Sequence, residues 1–396
     1  MPPPLLEGIR VIDLGRYIAA PFVGQLLADL GADVVRVERT TAEPDRLRGP
    51  YLDGRSLYFV ALNHSKRSVA FDVFSAEGRA VLDELIDHAD ILIENFSPAV
   101  AANLGLTRER LRARNPRLIA LGITAYGPDG PDAERVGFDG LAQARTGAMA
   151  SNGVQGDPYV NHLPYVDFST ALFGAFGLMA ALYERERTGE GQFIDASLFE
   201  TAGAMIAAYG MIAEAALTPA ARAHQGNTLA FALGDRVRSR DGDFILFNII
   251  GNMFTRLCVM VERPEWVDDP RFVDDPARFA HRDELFAHVA SWAAARTTAE
   301  VLRAAQEHQL PFERVGSVRD LATDAHAAAR GMFPRVAQPG IGAVPVARLG
   351  LTMSGHPHEA PRPAPTIGEH TSEVLAQWLG WDAVRVAGLP QSRGAR

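Results

Sequence analysis

Short apolar runs alternate with amphipathic segments along the first third of the chain. The runs predict β-strands at residues 11–14, 34–37, 68–73, 91–93 and 118–123. Between them, helical spacing extends from Pro21 to Gly31 and over residues 76–88. Strands that alternate with helices are typical of a parallel, doubly wound α/β sheet. Ligands of such sheets bind beyond the carboxyl ends of the strands, so we expect loops 15–20 and 94–98 at the binding edge.

The pattern changes in the second half of the chain. A long apolar helix is predicted from Asp167 to about Arg187, followed by a strand at residues 193–196 and a helix over 198–216. Residues 237–248 are typical of a hairpin around an Asp-Gly turn. Further helices are predicted at 284–294, 298–307 and 371–379. The hairpin and the helices that follow it indicate a second, smaller α/β segment.

Composition narrows the class of protein. A chain of 396 residues can form two or more domains, and a net charge of −9 gives no reason to expect a nucleic-acid partner. The one cysteine, Cys258, cannot form an intrachain disulfide, and we expect it in a core and the protein in the cytoplasm. We find no signal-peptide pattern and no run of about 20 apolar residues, so no membrane contact is expected.

Motifs for nucleotide cofactors are missing from the sequence. The turn after the first strand has Gly15 but lacks the further glycines of a dinucleotide-binding fingerprint. No Gly-Lys-Ser/Thr sequence follows a strand, so a P-loop is not predicted either. We therefore expect no tightly bound cofactor, and no metal site is predicted.

One carboxylate, Asp167, stands where a Pro-containing stretch meets the long helix. It could be the helix N-cap, with its oxygen accepting bonds from the free N–H groups of the first turn. It could also be a nucleophile that the same N–H groups and the positive helix end keep ionised. The residues around Asp167 alone do not separate these two interpretations.

Motifs spread over nearly the whole chain favour the nucleophile interpretation of Asp167. In order, they resemble the class III CoA-transferase family, which includes formyl-CoA and carnitine CoA-transferases and the related α-methylacyl-CoA racemases. The matching segments are residues 6–14, 27–38, 63–68, 89–96, 115–118, 137–139, 187–192 and 365–371. Each motif is weak alone, but their common order is specific.

The resemblance implies an architecture. The family has a large Rossmann-like domain formed by both chain ends, a smaller inserted α/β domain, and an interlocked homodimer. Mapped onto this chain, the predicted boundaries are 1–200 for the first part of the large domain, 201–224 for a linker, 225–328 for the small domain, and 329–396 for the second linker and the return to the large domain.

The resemblance also implies a chemistry. CoA would be a substrate, moved from an acyl-CoA to a carboxylic acid through a covalent aspartyl-CoA thioester on Asp167. The N–H groups of Ile18, Ala19 and Ala20 are candidates for binding the oxyanion. The candidate CoA contacts are Arg39, Lys66, Asn95, Phe96 and Phe138. As alternatives, Arg39 and Lys66 would be ordinary surface charges, and Asn95 with Phe96 a turn and a packing aromatic.

Two other functions stay open. The racemases of the family use a His–Asp pair, and the position of that histidine is Phe138 here, which cannot carry a proton. This departure favours a transferase over a racemase. A catalytically inactive CoA-binding protein is the third possibility. Ile18 replaces the glutamine of the formyl enzymes, which argues against an oxalate/formate pair, and the sequence does not identify the donor and acceptor acids.

Overall fold

The computed structural model describes residues 3–153, 157–219, 226–228 and 232–389. Within them the chain forms two compact units. The first contains the described residues of 3–146, 161–211 and 325–389, and the second contains those of 147–160 and 212–324. The predicted linker at 201–224 is helical over most of its described part, and the predicted domain boundaries stay a prediction.

The strands and helices have the following bounds. The strands are β1 Arg10–Asp13, β2 Asp33–Glu38, β3 Tyr51–Leu52, β4 Arg55–Ser56, β5 Arg67–Ala70, β6 Ile91–Glu94, β7 Ile119–Thr124, β8 Phe193–Ser197, β9 Leu233–Arg238, β10 Asp243–Ile249, β11 Phe312–Arg314, β12 Arg335–Gln338 and β13 Gly342–Pro345. The α-helices are α1 Ala19–Asp29, α2 Leu57–Asn63, α3 Ala76–Asp87, α4 Pro98–Asn103, α5 Arg108–Arg114, α6 Asp139–Arg145, α7 Ala148–Asn152, α8 Tyr165–Thr188, α9 Leu198–Ala208, α10 Met211–Leu217, α11 Met253–Met260, α12 Asp275–Ala280, α13 Arg282–Ala294, α14 Thr298–Glu307, α15 Val318–Ala322, α16 Ala325–Ala329, α17 Thr371–Leu379 and α18 Ala383–Ala387.

A six-stranded sheet forms the centre of the first unit. Its strand order is β5-β2-β1-β6-β7-β8, and every neighbouring pair is parallel. The predicted parallel α/β sheet is therefore confirmed. The order of strands reverses between β1 and β6, which is the point where ligands of doubly wound sheets bind.

The central strands are apolar without alternation because both faces of the sheet are covered. Val11 and Ile91 belong to a core on one face, and Ile12 and Leu92 belong to a core on the other. All four side chains are fully buried. Burial on both faces removes the polar positions that an exposed face would require.

The long helix α8 packs on the sheet through a glycine. A Cβ on Gly174 would lie 2.8 Å from a methyl carbon of Leu121 in β7, so only glycine lets the helix come this close. By length and composition α8 could also cross a membrane, which corrects the expectation that no segment has these properties. Its charged residues lie near its two ends, so the middle of the helix is apolar.

The second unit has its own sheet and core. Strands β9 and β10 pair antiparallel around Asp241-Gly242, as the hairpin pattern predicts. Cys258 is fully buried in this core, which confirms its expected structural place. A capping box between Thr297 and Glu300 starts α14 at the predicted residue. The single helix predicted over 198–216 is wrong, because Gly210 adopts a positive φ of 81° between α9 and α10.

Candidate active site

A cavity of about 220 Å³ opens at the carboxyl ends of the central strands. Its lining includes Tyr17, Ile18, Ala19, Asn95, Phe96, Ser97, Gly137, Phe138 and Asp167. The two loops that lead to it are joined, because the amide of Asn95 accepts a hydrogen bond from the Arg16 N–H (2.8 Å) and donates one to the Arg16 carbonyl (2.8 Å). The expected place of loops 15–20 and 94–98 is confirmed. A larger cavity of about 500 Å³ lies beside Gly31 and Asp33, near the opposite ends of the strands, so volume alone does not identify the site.

Asp167 lies in the first turn of α8, but it is not the N-cap. The helix begins at Tyr165 after Pro164, and the cap comes from a residue distant in sequence. One carboxylate oxygen of Asp139, Oδ2, accepts hydrogen bonds from the N–H groups of Val166 (2.7 Å) and Asp167 (3.0 Å). The N-cap interpretation of Asp167 is therefore wrong, and its own carboxyl group is left free to line the cavity.

The electrostatic surroundings of Asp167 oppose ionisation. Burial, and secondly the nearby charge of Asp139, raise the pKa of Asp167 to about 7. The expectation that the helix start keeps this carboxylate ionised is thus wrong in direction. Because Asp139 occupies the first N–H groups of α8, they do not stabilise the charge of Asp167. A carboxylate with a higher pKa is more basic, which favours it as a nucleophile once it is ionised.

The start of helix α1 lies at the same cavity. Ile18 is its N-cap residue and Ala19 its first residue, and both line the cavity, whereas Ala20 is fully buried and does not. The first N–H groups of a helix have no acceptor within that helix. Edge-to-face packing of Phe22 on Phe168, with ring centres 4.9 Å apart, holds α1 against the start of α8. The arrangement therefore places the first residues of α1 and the carboxyl group of Asp167 around one cavity.

The comparison with known families shows to which family the chain belongs. The model of a family described as CoA-transferase family III matches residues 6–371. The chain belongs to this family. It is therefore a family III CoA-transferase, and activity between an acyl-CoA and a carboxylic acid follows at this level of detail.

Individual relatives agree with this assignment over nearly their full lengths. The chain is 32% identical over 384 residues to succinyl-CoA–D-citramalate CoA-transferase of Chloroflexus aurantiacus, covering 96% of this chain and 95% of that protein. It is 34% identical over 385 residues to succinate–glutarate CoA-transferase of Agrobacterium fabrum, with coverages of 94% and 96%. The crystal structure of a CAIB/BAIF family protein from Brucella suis matches with a TM-score of 0.82 at 30% identity, covering 95% of this chain and all of that one.

Three of the five predicted CoA contacts of the transferase lie at the cavity. Asn95, Phe96 and Phe138 line it together with Asp167. Arg39 follows β2 at the same end of the sheet, but it is not among the lining residues and its guanidinium pairs with Glu43 at 3.2 Å. Contact of these four residues with CoA stays a prediction.

Lys66 has a different place from the predicted one. Its side chain is fully buried, and its ammonium nitrogen binds Asp13 Oδ2 (2.8 Å), the Pro21 carbonyl (2.7 Å) and Asn63 Oδ1 (3.0 Å). An ammonium group has three N–H donors, so none is left for a phosphate. Both the CoA contact and the alternative of a solvated surface charge are therefore corrected, and Lys66 is a buried structural cation.

Some residues of the site were given no individual role from the sequence. Tyr17 lines the cavity with a positive φ of 64° and packs edge-to-face on Phe138, with ring centres 5.7 Å apart. Asp139 was noticed only as part of the Gly137-Phe138-Asp139 motif. Tyr58, on α2, is linked to the site because the charge of Asp167, after burial, raises the pKa of its phenol. Tyr17 lies in the loop 15–20 that the sequence predicted at the binding edge and Asp139 in a family motif, whereas Tyr58 had no signal in the sequence.

The influence of Asp139 on Asp167 can be measured. In Asp139→Asn the amide oxygen can still cap α8, since Asn and Asp are similar N-caps, but the negative charge is gone. We expect kcat/KM of the native enzyme to rise with pH through about 7, as Asp167 becomes ionised. In Asp139→Asn the midpoint should move to lower pH. Glu186→Gln, an exposed charge removed from the same α8, should leave the midpoint unchanged; an unmoved midpoint in Asp139→Asn would assign the shift to burial alone.

Proposed function

We propose that this CoA-transferase moves CoA through a covalent thioester on Asp167. The observation that carries the proposal is the position of this carboxyl group in the cavity, beside the N-terminus of α1 and the predicted CoA contacts. Its raised pKa of about 7 gives it more basicity than an ordinary aspartate while leaving a large ionised fraction near neutral pH.

The exchange would take four balanced steps. An oxygen of ionised Asp167 attacks the donor thioester carbonyl and expels CoA thiolate, which leaves a mixed anhydride. The thiolate attacks the aspartyl carbonyl, which releases the donor acid as a carboxylate and forms aspartyl-CoA. The acceptor carboxylate attacks this thioester and expels the thiolate again. The thiolate then attacks the acceptor carbonyl of the second anhydride, which forms the new acyl-CoA and frees Asp167.

Each of these attacks passes through a tetrahedral oxyanion. The N–H groups of Ile18 and Ala19 are the proposed donors, because both residues line the cavity with Asp167. One such preorganised donor is worth about 3 kcal/mol of transition-state stabilisation. Phe96 and Phe138 would shield the anhydride from water, which would otherwise hydrolyse it.

A racemase is the main alternative within the family. It requires two acid–base groups placed on opposite faces of an α-carbon. Asp167 is one titratable group at the cavity, but Phe138 occupies the position of the second and has no proton to exchange. His162, a histidine near Asp167 in sequence, is exposed and does not line the cavity. These observations favour transfer over racemisation.

The covalent intermediate can be trapped. Incubation with succinyl-CoA followed by hydroxylamine should convert the carboxyl group of Asp167 into a hydroxamate. This change inserts one NH group and adds about 15 Da to the peptide that contains Asp167. Peptide mass spectrometry measures this. Omission of the acyl-CoA is the control. Modification of another residue, or of none while CoA exchange proceeds, would overturn the covalent assignment.

We also propose a homodimer, as the family resemblance implies. Helix α8 supports this, since Phe173, Phe176 and Tyr183 are each more than half exposed on it. Large aromatic side chains in this number on one helix are typical of a surface that another chain covers. Light scattering of the purified protein would give a mass near 86 kDa for a dimer (twice 42.8 kDa) and would contradict the proposal at the monomer mass.

A further inference from the structure

Arg48 differs from the other arginines around it. Arg16, Arg36, Arg39 and Arg46 each form an ion pair with an aspartate or glutamate. Arg48 has no carboxylate partner among the residues that the structure describes, and its side chain is exposed. Within the described part of the chain its guanidinium packs against an aromatic ring, so its N–H donors are available to an anion from outside the chain.

The backbone of Arg48 is nevertheless fixed. Its carbonyl accepts a hydrogen bond from the Ser56 hydroxyl at 2.5 Å. Ser56 is the N-cap of α2, and its Oγ accepts a hydrogen bond from the Phe59 N–H at 3.0 Å. Arg48 is therefore tied to the start of a helix rather than carried by a free loop. A cation held in this way loses less conformational entropy when it binds a ligand.

The guanidinium of Arg48 lies beside the candidate active site. Its central carbon is 5.7 Å from the ring centre of Tyr17, which lines the cavity with Asp167. Tyr58 gives a second link: after burial, the charge of Asp167 raises the pKa of its phenol and the charge of Arg48 lowers it. The phenol thus lies within electrostatic reach of both groups. A cation that contacts Tyr17 and a candidate nucleophile that lines the same cavity as Tyr17 therefore belong to one region of the molecule.

We propose that Arg48 binds the far carboxylate of a dicarboxylic acyl group whose thioester carbonyl lies at Asp167. The inference rests on the proposed function, because it assigns the substrate class of that same site. Arginine binds a carboxylate through two parallel N–H donors, which gives direction as well as charge. An acyl chain that ends in a methyl group would leave this cation without a partner, so the site would select dicarboxylic over monocarboxylic thioesters.

Binding to a non-reacting protein tests the inference without any need for turnover. Succinyl-CoA and butyryl-CoA have four-carbon acyl chains that end in a carboxylate and a methyl group. In calorimetry we expect the Asp167→Asn variant to bind succinyl-CoA roughly 10- to 100-fold more tightly than butyryl-CoA. This ratio is the contribution of a hydrogen bond to a charged group. In Asp167→Asn/Arg48→Gln this preference should be lost, through weaker binding of succinyl-CoA and unchanged binding of butyryl-CoA.

The control is Arg79→Gln in the same background, which removes a cation from α3, outside the residues that line the cavity. It should keep the preference for succinyl-CoA. Equal affinities for the two thioesters before the Arg48 change would overturn the inference. If Arg48→Gln weakened the binding of succinyl-CoA and butyryl-CoA equally, the inference would also be overturned, because Arg48 would then contact CoA itself. A preference that depends on Arg48, without CoA exchange by the unmodified enzyme, would support the inference and overturn the proposed function.

Discussion

Replacing Asp167 with asparagine is expected to lower kcat for CoA exchange by at least about 10³-fold, the scale of loss when a covalent nucleophile is removed. The amide keeps the size of the side chain but cannot form the mixed anhydride that begins the exchange. Initial rates of CoA transfer from succinyl-CoA to a set of free acids measure the effect. Affinity for CoA should change little, since the predicted CoA contacts belong to other side chains of the cavity.

Glu186→Gln is the matched control for this substitution. It also changes a carboxylate to its amide in α8, but at an exposed position near the other end of the helix. Its kcat should equal that of the native enzyme. Normal turnover by Asp167→Asn would remove Asp167 from the chemistry and would leave the cavity in need of another nucleophile.

Asp167→Asn is also expected to change the stability of the protein, and the raised pKa of Asp167 sets the sign of that change. A carboxyl group whose pKa is higher in the folded protein than in the unfolded chain stabilises the fold at low pH. That contribution is lost as the pH rises through about 7, where Asp167 ionises in the fold. At pH 8 the free energy of unfolding of Asp167→Asn should therefore exceed that of the native enzyme by on the order of 1 kcal/mol, which thermal unfolding shows as a higher midpoint temperature. The difference should shrink towards pH 5. An active-site residue whose removal stabilises the protein is expected when function requires an unfavourable charge.

Local patterns predicted the elements well where the sequence carries its own signals. Apolar runs predicted the strands of the central sheet to within a few residues, because burial on both faces makes them continuous. Helix α14 begins at the predicted residue because a capping box is written in adjacent positions. The prediction of one helix over 198–216 was wrong at Gly210, where the backbone has a positive φ. The sequence does not distinguish a glycine that ends a helix from one that a helix accommodates in its interior.

The candidate site was predicted less completely, for a physical reason. Asp167 stands at a helix start, and the sequence offers no sign that Asp139, 28 residues earlier, supplies the cap. Hydrogen bonds over this distance are set by tertiary packing, and the direction of the pKa shift follows from them. The place of Arg48 beside Tyr17 is of the same kind. Residue type and motif thus singled out Asp167 as the candidate nucleophile, whereas its environment required the structure.

Replacing Lys66 with methionine is expected to destabilise the fold by about 3 to 5 kcal/mol, the usual result when one partner of a buried ion pair is removed. Burial lowers the pKa of Lys66, and Asp13 works against that effect. Methionine has a similar length but no donors, so the fully buried carboxylate of Asp13 would lose its 2.8 Å partner and Asn63 Oδ1 a donor. Urea unfolding followed by circular dichroism measures the loss as a lower midpoint at an unchanged slope.

A second substitution shows whether the lost charge pair is the cause. Asp13→Asn removes the uncompensated charge while its amide oxygen can still accept the Gly15 N–H, which the native carboxylate binds at 2.7 Å. The double variant Lys66→Met/Asp13→Asn should therefore recover part of the stability that Lys66→Met loses. Its recovery would identify the pair as structural, since a surface lysine that binds CoA would leave the unfolding midpoint within about 0.5 kcal/mol of native and weaken CoA binding instead. A near-native midpoint together with weaker CoA binding would place Lys66 in the substrate site and would contradict the burial of its side chain.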